Sequence, residues 1–159
     1  MIVILDASTL INLANGGVLA KVFRIPDVCF CISEAVRKES KTVSREIEAA
    51  VSRGEVEWVD ADSIDAHEYE TALATWGLGA GETECFLAAL KLQCEVACDD
   101  GAARKAISRH RQEIRLTGSI GLLRMATRLS HISKEEAFAA YKLMKVRGGF
   151  LPEITLSEL

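Results

Sequence analysis

Two short apolar runs in this chain end in acids: IVILD at Asp6, and EVACDD at Asp99 and Asp100. A carboxylate directly after a buried strand is held rigidly at the carboxyl edge of a sheet, where parallel α/β folds bind ligands. If the two strands are neighbours, their acids meet. Like charges that close must be neutralised by protons or by a cation, and oxygen-only ligands suit Mg²⁺ or Mn²⁺ better than zinc or copper. Each acid also has a structural reading, because Asp favours helix N-caps and helix N-termini. Glu39, late in the helix after the second apolar strand, extends the set, as do Glu82 and Glu84 at the start of GETECFLAAL. Two residues is not helical spacing, so Glu82 and Glu84 do not share a helix face. One of them is expected to face solvent or a neighbouring arm.

Basic residues follow the second acidic turn. Arg104, Lys105, Arg109 and Arg111 cluster after Asp100, with Arg115, Arg124 and Arg128 further on. Arg104 and Lys105, one turn beyond the acids, suit a phosphate backbone, and equally suit a solvated helix face. Aromatic residues make up 6% of the chain, too few to point to a stacking platform for single strands. Trp76 reads as a core or arm contact. His67, His110 and His131 show no paired spacing and read as surface residues. Gly79-Ala80-Gly81 follows a helix and lacks a following Lys-Ser/Thr, which fits neither a P-loop nor a dinucleotide fingerprint. A tight turn into the Glu82 helix explains those glycines. The five cysteines form no CxxC pair, and Cys94 and Cys98 have no nearby histidine, so buried free thiols are expected rather than zinc.

Strands alternating with helices position these residues. Strands are expected at 2–5, 28–32, 55–59, 95–98 and 113–116. Helices are expected at 8–24 (broken at Gly16-Gly17), after Ser33 as N-cap, and at 42–53, 63–75, 82–92, 102–109 and 119–129. A last helix over 134–146 has Ser133 and Glu136 as a capping box. The alternation indicates an α/β domain with a parallel sheet. The polar helical stretch at 42–75 interrupts it and reads as an arm.

Length and composition bound the rest. A chain of 159 residues is one domain by the usual prior, spanning 1–159. No apolar run approaches the roughly 20 residues of a membrane span. MIVILDASTL is apolar too briefly for a signal peptide and lacks a basic n-region, so a cytoplasmic location is expected. Residues 1–100 carry 8 basic and 18 acidic side chains, a balance of −10, whereas 101–159 carry 11 and 5, a balance of +6. An acidic protein is a poor non-specific polyanion binder, but a local basic surface beside an acidic site fits this asymmetry.

The order of motifs resembles the PIN-domain family, the fold of VapC-type toxin ribonucleases. IVILDASTLINLA comes first, then CISEAVRKE, then GAGETECFLAAL, then VACDDGAARKA with Asp100 18 positions after Glu82. With the late TGSIGLL segment, the chain is similar to a branch of PIN-like proteins over roughly residues 1–130. The resemblance implies a three-layer α/β/α fold with a central parallel sheet and a helical arm insertion. The family's acidic quartet falls on Asp6, Glu39, Glu82 and Asp100. Glu84 and Asp99 are the alternatives at the third and fourth positions, and Asp99 joins Asp6, Glu82 and Asp100 as a candidate metal ligand. Ser8 or Thr9 stands where the family often places a small hydroxyl near the metal water, and either also suits an N-cap for the first helix.

What the resemblance implies is Mg²⁺- or Mn²⁺-assisted hydrolysis of RNA phosphodiester bonds. The metal would lower the pKa of a bound water, Asp6 and Asp100 would ligate it directly, and Glu39 and Glu82 would orient metal waters. Ser8, Thr9, Arg104 and Lys105 would contact substrate. An antitoxin would cover the cleft, and the chain would form a homodimer, with 42–75 a candidate surface. A non-catalytic PIN-like interaction module is the alternative, kept open by Glu in place of the commoner Asp at position 82. A phosphatase of the haloacid dehalogenase type needs a second Asp two residues after Asp6, where this chain has Ser8.

Overall fold

The structure, a computed structural model, describes residues 1–60 and 64–159. The first strand, β1 (Ile2–Leu5), is followed by α1 (Ala7–Asn15) and α2 (Leu19–Val22), then β2 (Cys29–Ile32), α3 (Glu34–Glu39), α4 (Ser44–Ser52) and β3 (Val56–Trp58). The second half runs α5 (Ala66–Trp76), α6 (Ala80–Leu92), β4 (Glu95–Ala97), α7 (Gly101–His110), β5 (Arg115–Thr117), α8 (Ser119–Arg128) and α9 (Lys134–Val146). Short 3₁₀ turns cover Lys41–Val43 and Leu156–Glu158.

The five strands form one parallel sheet in the order β3-β2-β1-β4-β5. Its centre is fully buried at Val3, Ile4, Leu5, Phe30, Ile32, Val96 and Ala97. Strands buried on both faces need continuous apolar runs, which is why IVIL and CFCI read so plainly. A Leu5→Ala change here costs about 2–5 kcal/mol, because the site cannot collapse onto the deletion. Right-handed crossovers send α1, α2 and α4 to one face and α5, α6 and α7 to the other. The packing agrees: α9 lies on α1 and α8, while α6 lies on β1, β4 and α5. This is the three-layer α/β/α arrangement of a PIN-like fold.

The chain leaves β1 toward β2 on one side and returns to β4 on the other. That reversal opens a crevice beyond the carboxyl ends of β1 and β4, the place where such sheets bind ligands.

Several local expectations change. Gly81 is not part of a turn into the helix: α6 begins at Ala80 and carries Gly81 in its first turn. Only Gly77 of that loop needs a glycine's backbone, ending α5 at φ +66°. Ser133 caps α9 by accepting from Glu136 N–H at 3.1 Å, but the Glu136 carboxylate pairs with Lys21 rather than closing the box. The segment 42–75 is tied down at its middle, where β3 is hydrogen-bonded to β2, and at its far end, where α5 packs on α6. Residues 61–63 of that segment, and with them the start of the helix expected over 63–75, lie outside the described residues.

Candidate active site at the strand ends

The β1–β4 ladder continues one residue past β1, because Asp6 N–H donates to Ala97 O at 2.9 Å. This fixes the Asp6 backbone at the mouth of the crevice, with its side chain buried. Asp6, not Ser8 or Thr9, is the N-cap of α1: its Oδ2 accepts from Ser8 N–H at 3.2 Å and from Ser8 Oγ–H at 2.6 Å. Ser8 Oγ in turn accepts from Asp99 N–H at 2.9 Å and Asp100 N–H at 3.3 Å. One hydroxyl thus spends its one proton and both lone pairs on joining the two strand ends. Cys98, buried on β4's extension, places Sγ 3.4 Å from the same Asp6 oxygen. Burial first, and then the Asp6 charge, push its thiol well up, so it keeps its proton and donates it to Asp6.

The other three acids are also pinned through single oxygens. Asp100 caps α7, Oδ1 accepting from Ala103 N–H at 2.8 Å. Glu39, at the end of α3, reaches over to α6, where its Oε1 accepts from Gly81 N–H at 3.1 Å. A Cβ at position 81 would stand 2.6 Å from Glu39 Oε2, so only glycine lets the carboxylate lie against the helix. Glu82 Oε2 accepts from Gly79 N–H at 2.9 Å, the glutamate half of a capping box. Burial pushes the Glu82 carboxyl up, the Gly79 bond pulls it down, and the charges of Asp6, Asp100 and Glu39 raise it further.

Glu82 therefore shares one electrostatic site with Asp6, Glu39 and Asp100. Glu84 turns elsewhere. Its Oε2 accepts from Ala35 N–H at 2.8 Å and caps the start of α3, and both glutamates are half-buried. Asp6 Oδ1, Glu39 Oε2, Glu82 Oε1 and Asp100 Oδ2 carry no hydrogen bond or ion pair among the described residues. Oxygen-only donors gathered in a partly buried cleft suit a hard divalent cation such as Mg²⁺ or Mn²⁺. The cleft is open rather than closed. Among the described residues, the three-donor group whose atoms come within 4.8 Å of one another is elsewhere, at Cys29, Cys31 and Glu57.

The remaining sequence candidates divide. Asp99 has both oxygens occupied: Oδ1 accepts from Ser119 N–H at 2.8 Å, and Oδ2 from Asn12 Nδ2 at 2.7 Å and from the Ser119 hydroxyl. It ties β4 to α1 and α8. Thr9 Oγ1 is buried without a partner among the described residues. Arg104 donates one nitrogen to both Cys98 O and Thr117 O, bracketing the ends of β4 and β5. Arg111 lies over the Trp76 ring, and Arg115 and Arg124 pair with Glu95 and Glu158. Lys105 and Arg109, one turn apart on α7, are exposed and have no ion pair among the described residues.

Sequence reasoning missed Asn12, Ser119, Cys98, Gly81 and Phe150. Asn12 was findable, being four residues after Ser8 and thus on the same helix face. Phe150 is fully exposed and lines a cavity of about 540 Å³ together with Asp99, Asp100 and Arg104. The Gly148-Gly149 pair before it is a turn signal that marks a displayed residue. The other three depend on partners far away in the chain.

No curated protein and no solved structure matches this chain. The sequence profile of the DUF3368 family of PIN domains does match, over residues 2–159. PIN domains have a nuclease-type fold and in general work as metal-dependent nucleases with divalent ions. The match runs from the first strand through the acidic crevice to the last residue, and on it the chain belongs to the PIN-domain family.

Proposed function

We propose that this protein is a metal-dependent ribonuclease that hydrolyses RNA phosphodiester bonds. The observation that carries the reading is the shared design of four acids. Asp6, Glu39, Glu82 and Asp100 each give one oxygen to a backbone N–H and keep the other without a hydrogen bond or ion pair among the described residues. Asp6 and Asp100, with Glu39 and Glu82, would hold Mg²⁺ or Mn²⁺. Such an ion, when bound, supplies an activated water and offsets negative charge on the phosphate.

The chain's own residues do the positioning. Ser8 ties the Asp6 side chain to the backbone of Asp99 and Asp100, and Cys98 donates its thiol proton to Asp6 Oδ2. Lys105 and Arg109, exposed on α7 and without an ion pair among the described residues, would meet a phosphate backbone, while Arg104 and Asp99 serve as braces for the strand ends. The toxin role, with an antitoxin covering the acids and with two copies of the chain associating, belongs to the same proposal and rests on the family resemblance. An arginine from such a partner would find charge-assisted acceptors in the four open oxygens.

The test is isothermal titration of Mn²⁺ into wild type and Asp6→Asn, beside Mn²⁺-dependent cleavage of a mixed RNA pool. Binding and cleavage lost together in the variant, with its circular dichroism unchanged, support the reading. Full cleavage by Asp6→Asn overturns it.

A further inference from the structure

The sequence Cys29-x-Cys31 lies on β2 with spacing two, which puts both side chains on one face of the sheet. In the parallel pairing of β2 with β3, Cys31 stands opposite Glu57, which brings that carboxylate to the same face. The two sulfurs and a Glu57 oxygen all lie within 4.8 Å of one another. The cluster is graded from inside to outside: Cys31 is buried, Cys29 half-buried and Glu57 exposed. A solute can therefore reach it from the Glu57 side.

We propose that Cys29, Cys31 and Glu57 form a binding site for a thiophilic divalent cation of the zinc class. The site is separate in chemistry from the oxygen-only cleft and does not depend on the nuclease reading. Two sulfurs and one carboxylate are a zinc donor set and a poor one for Mg²⁺ or Mn²⁺. The distances support it. Zinc bonds of about 2.3 Å to sulfur and about 2.0–2.2 Å to oxygen, set tetrahedrally, put donors about 3.6–3.8 Å apart. The apo spacing is at most 4.8 Å, so side-chain rotation of about 1 Å closes the set without moving the strands. Three protein donors leave a fourth position for water, the open form of zinc site.

Nothing in the acidic crevice shares these residues: they start at the amino end of β2, whereas the crevice opens at the carboxyl ends of β1 and β4.

The test uses the reduced full chain, with Co²⁺ as a spectroscopic probe and Zn²⁺ as competitor. Thiolate-to-cobalt absorption should appear at one Co²⁺ per chain and be displaced by one Zn²⁺, while Mn²⁺ leaves it unchanged. Cys29→Ser should weaken Zn²⁺ binding by more than the roughly 10–100-fold that an outer partner is worth, and Cys31→Ser should do the same. Because Cys31 is a core position, Cys29→Ser and Glu57→Gln carry the test if Cys31→Ser unfolds. Cys94→Ser and Asp6→Asn should bind as wild type does. The proposal is overturned by an absent thiolate band, by a band that survives Cys29→Ser, or by one that is lost in Cys94→Ser.

Discussion

Gly81→Ala separates stability from site geometry. A Cβ at position 81 would stand 2.6 Å from Glu39 Oε2, 2.8 Å from Cδ and 2.9 Å from Oε1. Ordinary contact begins near 3.4 Å, so the carboxylate must retreat by about 0.8 Å, and its bond to Gly81 N–H at 3.1 Å goes with it. The group that moves is the far end of a flexible, exposed side chain, so the fold loses little. Alanine is also favoured over glycine by up to about 1 kcal/mol in a helix. The two effects nearly cancel, and the melting temperature should stay within about 4 °C of wild type. The Glu39 carboxylate, however, is displaced within the cleft by about 0.8 Å. Displacements near 1 Å in a reacting assembly cost up to about 100-fold, so Mn²⁺ affinity and Mn²⁺-dependent cleavage should fall about 10–100-fold. Thermal melts, calorimetric Mn²⁺ titration and cleavage assays on Gly81→Ala beside Glu39→Gln read all three quantities. Wild-type Mn²⁺ affinity in Gly81→Ala, where Glu39→Gln binds poorly, would refute the idea that glycine holds Glu39 in place. A loss of more than about 2 kcal/mol would mean that the helix had moved and not the carboxylate.

Other outcomes follow from neighbouring contacts. The folded Glu82 carboxyl is raised above its ordinary value of 4.5, so the stability linked to it is full at acid pH and lost as pH rises through the folded value. Glu82→Gln removes that loss and can still accept from Gly79 N–H. Its melting temperature should exceed wild type at pH 7, with the gap closing below about pH 4, while metal binding falls. Ser8→Ala strands the N–H groups of Asp99 and Asp100, and chemical denaturation should show a loss of about 1–3 kcal/mol. Phe150→Ala should weaken binding of single-stranded RNA to Asp6→Asn protein by about 1–3 kcal/mol in anisotropy titrations, the value of one base stacked on an aromatic ring. Unchanged RNA affinity would leave Phe150 without a role in the cleft.

What could be read from the chain alone follows a physical rule. β1 and β4 were plain because a strand buried on both faces must be apolar throughout, and their acids were plain because each run stops at one. The edge strand β5 was placed early, at 113–116 rather than Arg115–Thr117, because exposure on one side dilutes its pattern. The basic residues after Asp100 show their charge but not their partners. Arg104 is engaged by the carbonyls of Cys98 and Thr117, the latter reachable only once β5 has paired with β4. The same applies to Glu84, whose spacing excludes a shared face with Glu82 yet says nothing of the amide on α3 that it caps. Glu57 stands 26 residues beyond Cys31, and only the register of β2 against β3 brings the two together.

The hydroxyl of Ser8 bridges residues 92 apart in the chain, and Asn12 grips Asp99 across 87. Of the five strands, β1 comes first in chain order and lies at the centre of the sheet, and the turn that completes its crevice follows some 92 residues after Ser8. Arg147, which holds Asn15 O across 132 residues, comes later still. Order of synthesis thus acts as a timer. The emerging chain carries Asp6 long before it carries anything to work with Asp6, and contacts of such separation form late in folding. The acids of the crevice stay apart until Asp100 and its turn have been made.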